Sequence, residues 1–296
     1  MIAALSIARP LIEELTDRPF SGSVLGRFDR ACNLVDREGR VIALTLPEIG
    51  NGPFSIVVAA DPDLFNRLSV GQCALADPHG LAIGSWCINL RAAKIWEPKL
   101  AWSNQPLKIS SAIAGIIKPY TNWPHLAEVN SFANSASRLA GAAAQLNQAL
   151  IEHEKSERHE GHERYERAEK VVEAIDQLAG LGSGLTPAGD DYIVGVMVAL
   201  WLTGRKEMLS EMARVAVTKT TALSAAFLRA AAQGEFMELW HALVQTLFAG
   251  EIEAFSQAIK RVAQFGASSG LDALAGFATT LLSLVSEPRL TSIHER

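Results

Sequence analysis

Residues 180–191 read Gly-Leu-Gly-Ser-Gly-Leu-Thr-Pro-Ala-Gly-Asp-Asp and lead straight into the apolar run Tyr192 to Leu202. Closely spaced glycines let backbone N–H groups approach a ligand with no side chain in the way, and such a loop can cradle an anion. Thr186 and Pro187 have the chemistry of a helix N-cap and first helical residue, which would aim unpaired N–H groups and the positive dipole end at the same place. Gly182, Ser183, Gly184, Thr186 and Gly189 are therefore candidate anion-binding residues. Asp190 and Asp191 are candidate catalytic residues and candidate ligands for Mg²⁺. A plainer account also exists: glycines make tight turns, Thr-Pro starts ordinary helices, and early aspartates complement the dipole. It explains each part separately, but not their concentration ahead of an apolar helix that must be buried. The segment lacks the Gly-Lys-Ser/Thr of a Walker loop, and a helix rather than a strand precedes it, so it is not a dinucleotide fingerprint.

Two later helix starts have similar character. Lys219-Thr220-Thr221, with Ser224, opens a helix that carries Arg229, and Ser268-Ser269-Gly270-Leu271-Asp272 opens the last long helix. All of these except the intervening Gly270 and Leu271 are candidate anion-binding residues, with Lys219 and Arg229 available to compensate the two carboxylates. Ser269 and Asp272 also have the three-residue spacing of a capping box. If the three starts converge, each dipole contributes about 0.3–1 kcal/mol to holding an anion.

These helices need a scaffold. Between Phe20 and Glu97 the chain breaks into short β-branched or aromatic runs, clearest at Val41 to Leu46, Phe54 to Ala60 and Leu81 to Leu90. The segments 36–39 and 77–80 carry turn chemistry and connect neighbouring antiparallel strands. Helix-length crossovers are missing, so a small barrel or sandwich is expected rather than a parallel sheet. Near Pro98 to Pro106 the character changes, and helical spacing follows from Leu107 on. The expected fold is α+β: a β-rich domain over 1–104 with a short N-terminal helix, then a helical domain over 105–296. Helices are expected at about 126–169 with a break near Gly161, then at 187–203, 206–217, 221–233, 235–248, 251–265 and 270–285. Gly204, Gly234, Gly250 and Gly266 close several of them. Four-residue pairing of Glu with Arg or Lys over 152–170 marks a solvated helix face, on which His153, His159 and His162 are expected as plain surface residues.

With 296 residues and 49% hydrophobic composition the chain can bury a sizeable core. Its 27 basic and 32 acidic residues leave no footprint for a nucleic-acid backbone. The three cysteines Cys32, Cys73 and Cys87 have no metal or redox spacing, which suits free core thiols in a reducing compartment. The apolar stretch Ile2 to Ile7 has no basic residue ahead of it, and Val196 to Leu202 is far short of the ~20 residues that span a bilayer. A cytoplasmic protein without membrane or nucleic-acid partners is expected.

Together, Gly-x-Gly-Leu-Thr-Pro-x-Gly-Asp-Asp at 182–191, Thr220-Thr221-x-x-Ser224 and Ser268-Ser269-Gly270-x-Asp272 resemble the family of the AllH-type subunit of oxamate carbamoyltransferase. Gly52-Pro53-Phe54-Ser55-Ile56-Val57-Val58 extends the resemblance into the β-rich part. The resemblance implies a part in purine and allantoin breakdown, exchanging oxalurate and phosphate with oxamate and carbamoyl phosphate. It also implies AllF- and AllG-type partner subunits; it carries no catalytic residue assignment. Two functions follow: a carbamoyltransferase component that holds a small phosphate-type anion at the Gly-rich helix start, or a non-catalytic ligand-binding or scaffolding subunit.

Overall fold

A computed structural model describes residues 2–61, 63–101, 107, 109–123, 133–156 and 162–285, of which 133–135, 155–156 and 162–165 are described by backbone alone. The first half contains β1 (Ile2–Ala8), α1 (Arg9–Asp17), β2 (Phe20–Phe28), β3 (Ala31–Asp36), β4 (Val41–Thr45), β5 (Ser55–Ala59) and α2 (Asp63–Asn66). It continues with β6 (Cys73–Asp77), β7 (Gly80–Ile83), β8 (Trp86–Asn89) and β9 (Lys94–Trp96). The strands run β5-β4-β3-β2-β6-β7-β8-β1-β9, and pairing of β5 with β1 closes eight of them into a barrel with β9 as an extra strand. Closure removes the unpaired edges that an open sheet would expose. Among the described residues most pairs are antiparallel, and only β4–β5, β1–β8 and β1–β9 are parallel. Buried and exposed residues alternate along β6 and β7, so one face fills the barrel with Val24, Leu34, Ile42, Leu44, Ile56 and Leu81.

Two local expectations are corrected, and one is completed. The run Leu81 to Leu90 is two strands, because Gly84 at φ 55° turns the chain between them. The apolar stretch Ile2 to Ile7 is a strand that closes the barrel, and the expected short N-terminal helix follows it from Arg9. Of the three free thiols only Cys32 is in the core, where burial pushes it up to about 12; Cys73 and Cys87 are exposed.

The second half comprises α3 (Ser111–Ile117), α4 (Ala133–Ser156), α5 (His162–Leu178), α6 (Ala188–Leu202), α7 (Leu209–Ala216), α8 (Ala222–Ala232), α9 (Glu238–Ala249), α10 (Ile252–Ala263) and α11 (Ser269–Val285). The expected helix over 126–169 thus includes α4 and the start of α5; its stretches 126–132 and 157–161, with the proposed break at Gly161 and His159, lie outside the described residues. So do the side chains of His162, Arg158, Glu160, Glu163 and Arg164. The solvated-face expectation is corrected where it can be seen: His153 is buried, and Glu154 pairs with the buried Arg205 guanidinium. Lys170 reaches Glu152 at 3.3 Å.

Twelve of the fifteen residues of α6 are buried, so the other helices pack round it. Its closest companion is α11. A Cβ on Gly195 would meet the Ala273 carbonyl oxygen at 1.8 Å, and one on Gly276 would meet that of Tyr192 at 2.0 Å. The two helices therefore touch backbone to backbone, which only glycine permits. The barrel docks on this bundle through Asn51, whose backbone N–H and Nδ2 donate to Glu238 Oε2 at 2.9 and 2.8 Å. Phe54 packs on Phe227 of α8 with ring centroids 4.7 Å apart. Among the described residues no helix is long and apolar enough to cross a membrane.

Gly195→Ala is expected to lower stability by about 1–3 kcal/mol through overpacking. Gly141→Ala, in α4 with open space round its Cβ position, should raise it by roughly 0.5–1 kcal/mol. Denaturant melts of the two variants compare the close helix contact with an ordinary helical glycine.

Candidate functional site

The Gly-rich loop joins α5 to α6. Gly180, Gly182 and Gly184 hold φ values of 73°, 120° and 94°, which L side chains rarely adopt. A Cβ on Gly180 would strike the Lys219 carbonyl at 2.3 Å and one on Gly189 the Leu178 carbonyl at 2.1 Å, so the loop is pressed against its neighbours there. Gly184 is different, with nothing within 4 Å of its Cβ position. Gly182, Ser183 and Gly184 are exposed. Their backbone N–H groups make no hydrogen bond among the described residues, so they face solvent or a ligand. Leu185 leans on the barrel, where a side chain at Gly26 would collide with it at 2.7 Å.

α6 begins at Ala188 with Pro187 as its cap residue, one position later than the sequence suggests, because Pro187 is extended at ψ 142°. Thr186 does not cap; its hydroxyl meets Ser269 Oγ at 2.9 Å, tying the loop to the start of α11. Adjacent helical residues point about 100° apart, and this splits the two aspartates. Asp190 is 1% exposed and turns toward the start of α8. The Gly180 N–H donates to its Oδ1 at 2.8 Å, and the Thr220 hydroxyl donates to its Oδ2. Burial still raises its carboxyl above the ordinary value, against the pull of Thr220, Gly180 and Ser224.

Asp191 turns toward α11. Burial drives its carboxyl well above the ordinary range, opposed by the Ser269 hydroxyl, reinforced by the carboxylates of Asp272 and Asp190, and opposed again by Thr186. Its Oδ2 is fully buried and has no hydrogen-bond partner among the described residues. Thr186, Asp191 and Ser269 share a small cavity with the side chains of Phe227, Glu235 and Trp240. The cavity measures about 50 Å³, whereas a water molecule needs roughly 10–15 Å³ by the same measure, so it holds a few atoms of a ligand and no more.

The remaining predicted residues lie round this centre. Thr221 caps α8, accepting the Ser224 N–H at 3.2 Å and donating to the Leu185 carbonyl at 2.5 Å. Ser224 is buried beside it. Asp272 is buried, and its Oδ1 accepts the Trp123 indole N–H at 2.6 Å. Ser268 is exposed at the start of α11, its carbonyl accepting the Asp272 N–H at 3.0 Å. Lys219 is committed to Asp176, at 2.5 Å from Oδ2, and Arg229 is exposed in the last turn of α8. Neither cation lines the cavity. Both oxygens of Asp190 accept hydrogen bonds, and among the described residues no group of three or more His, Cys, Asp or Glu could hold a metal ion.

Sequence reasoning missed Phe227, Glu235, Trp240 and Trp123. Phe227 lies one helical turn after Ser224, a spacing that puts both on one face of α8. It is also the residue on which Phe54 rests, so the β-rich motif at 52–58 reaches the cavity wall through one aromatic contact. Trp123 lies 149 residues from Asp272, and no local spacing announces it.

Asp190→Ala should cost roughly 1–3 kcal/mol, because the Gly180 N–H and the Thr220 hydroxyl lose a buried acceptor. Asp191→Asn has the opposite expectation. A carboxyl whose folded-state pKa is raised stabilises fully below the unfolded value of about 3.9, and that contribution is lost as pH rises through the folded value. The asparagine variant should therefore match the parent near pH 4 and exceed its Tm near neutral pH, as read from melts across that range.

The residues 178–281 match the family model described as oxamate carbamoyltransferase subunit AllH, and residues 3–95 match that of the AllH family N-terminal domain. No solved structure matches the chain.

Proposed function

The chain belongs to the AllH family of oxamate carbamoyltransferase subunits, and from that premise we propose that the cleft of Thr186, Asp191 and Ser269 is its contribution to carbamoyl transfer. As a member of a subunit family it works within a larger assembly, and AllF- and AllG-type chains are the proposed partners, in purine and allantoin breakdown. The reaction converts oxalurate and phosphate into oxamate and carbamoyl phosphate. A phosphate oxygen bonds to the carbamoyl carbon, the bond from that carbon to the oxamate nitrogen breaks, and the nitrogen leaves with the proton that phosphate gives up.

The observation that carries this proposal is the buried Oδ2 of Asp191, which has no hydrogen-bond partner among the described residues, on a residue that lines the cavity together with Thr186 of the Gly-rich loop. A native fold rarely leaves such an atom without a purpose. A carboxyl held well above its ordinary pKa keeps its proton to higher pH than a solvated aspartate does and can hand that proton to a leaving nitrogen. The free N–H groups of Gly182 to Gly184 and the start of α6 suit the phosphate-type anion on the solvent side. Catalysis of this kind needs positioning and charge stabilisation, so a covalent nucleophile is not required.

The scaffolding alternative has its own supporting observation. The Asp190 network satisfies itself within the chain and ties the loop to α8, as a purely structural motif would. Asp191 separates the two. In the assembled complex, Asp191→Asn should cut carbamoyl transfer by about two orders of magnitude or more while the assembly still forms and melts no lower than the parent. Near-normal turnover would assign the cleft to scaffolding. Phosphate, oxamate or carbamoyl phosphate should also raise the Tm of the full chain, since a ligand that binds only the folded state stabilises it.

A further inference from the structure

The cavity beside Asp191 has a composition that bears on which end of a substrate enters it. Beyond Thr186, Asp191 and Ser269 it is walled by Phe227, Phe236, Trp240 and Phe265, and its other ionisable residue is Glu235. No Lys, Arg or His among the described residues lines it. An anionic group entering here would meet two acids and aromatic walls, without a cation to offset its desolvation. The loop N–H groups suited to an anion lie outside, on the exposed arc Gly182 to Gly184. The volume of about 50 Å³ suits a planar head of a few heavy atoms rather than a tetrahedral phosphate with its hydration.

From this we propose that the cavity is the specificity pocket for the neutral primary-amide head of the substrate, with Asp191 as its hydrogen-bonding partner and the anionic end left outside at the Gly-rich loop. It rests on the cleft's being a ligand site, as above. The chemistry distinguishes an amide from a carboxylate in either state of Asp191. A protonated carboxyl and a primary amide pair through two parallel hydrogen bonds, O–H to the amide oxygen and N–H to the carboxyl oxygen. An ionised carboxylate accepts the amide N–H. A carboxylate head could take only one such bond from the protonated form, with two oxygens forced together, and would be repelled by the ionised one. Burial of Asp191 favours the protonated, doubly bonded case. Selectivity arises because one buried acceptor is left facing a second acceptor when the wrong head enters.

Oxamate and oxalate differ only in that one carries an amide where the other carries a second carboxylate. Titrating each into the ¹⁵N-labelled full chain near pH 7, with the Trp240 indole and the 182–186 amides as reporters, measures both affinity and placement. Oxamate should bind at least about tenfold more tightly than oxalate, with the Trp240 indole perturbed. In Asp191→Asn the ratio should fall to within about threefold, because an asparagine amide can pair with an amide and can donate to a carboxylate. Equal or tighter binding of oxalate by the parent chain overturns the amide pocket while leaving the cleft a ligand site, and this comparison needs no variant. A preference that survives unchanged in Asp191→Asn removes Asp191 as its source. If neither compound perturbs the cleft signals, the cleft is not a ligand site for this chemistry and the amide pocket falls with it.

Discussion

The burial of α6 is the constraint from which the rest of the helical half follows. A helix that is apolar on nearly every face can be accommodated only at the centre of a bundle, and its polar first turn is carried inward with it. Asp190 and the Oδ2 of Asp191 then lie where water cannot satisfy them, and each must find a partner in the protein or remain costly. Asp190 takes the first course, gathering the Gly180 N–H and the Thr220 hydroxyl and so joining the Gly-rich loop to α8. Asp191 takes the second. Its unpartnered oxygen is the cost that this packing leaves in place, on a residue that lines the small cavity. The backbone contact of α6 with α11 through Gly195 and Gly276 brings Ser269 to Thr186, so the same packing that buries the aspartates assembles the cleft.

Two adjacent acids thus do different work because a helix separates their directions. The one whose two oxygens are both hydrogen-bonded ties the loop to α8, and the other keeps one buried oxygen without a partner among the described residues. The electrostatics follow the same division. Lys219 is spent on Asp176 and Arg229 faces solvent, so the interior of the cleft is acidic and aromatic, while the unpaired backbone N–H groups lie on the exposed loop at 182–184. An inner pocket without cations and a polar outer arc would suit the proposed substrate, which carries an amide at one end and a negative charge at the other.

Much of this was legible in the residues because it depended on local chemistry. Short alternating runs with turns at 36–39 and 77–80 announced the antiparallel β unit, and glycines at 204, 234, 250 and 266 announced helix ends, all four with positive φ. The concentration of glycines and acids ahead of Tyr192 announced the segment at the bundle's centre. What was not legible depended on partners distant in the chain. Ile2 to Ile7 carries no alternation of its own and becomes a strand through its pairing with β5. His153 and Glu154 look like a solvated face until Arg205 is folded against them. Trp123, Glu235 and Trp240 reach the site by tertiary contact alone. The direction of each aspartate depended on a helix start that spacing placed one residue early.

The central claim is that Asp191 is held in an environment that keeps its carboxyl from ionising as an ordinary aspartate does. Carboxyl ¹³C chemical shifts followed through a pH titration of the full chain, with Asp191→Asn supplying the assignment, measure this directly. The account predicts that the Asp191 carboxyl titrates well above the ordinary value of about 3.9. A midpoint at or below that value would contradict it, showing that Asp191 is solvated or paired and that the cleft has no buried acid to offer a substrate.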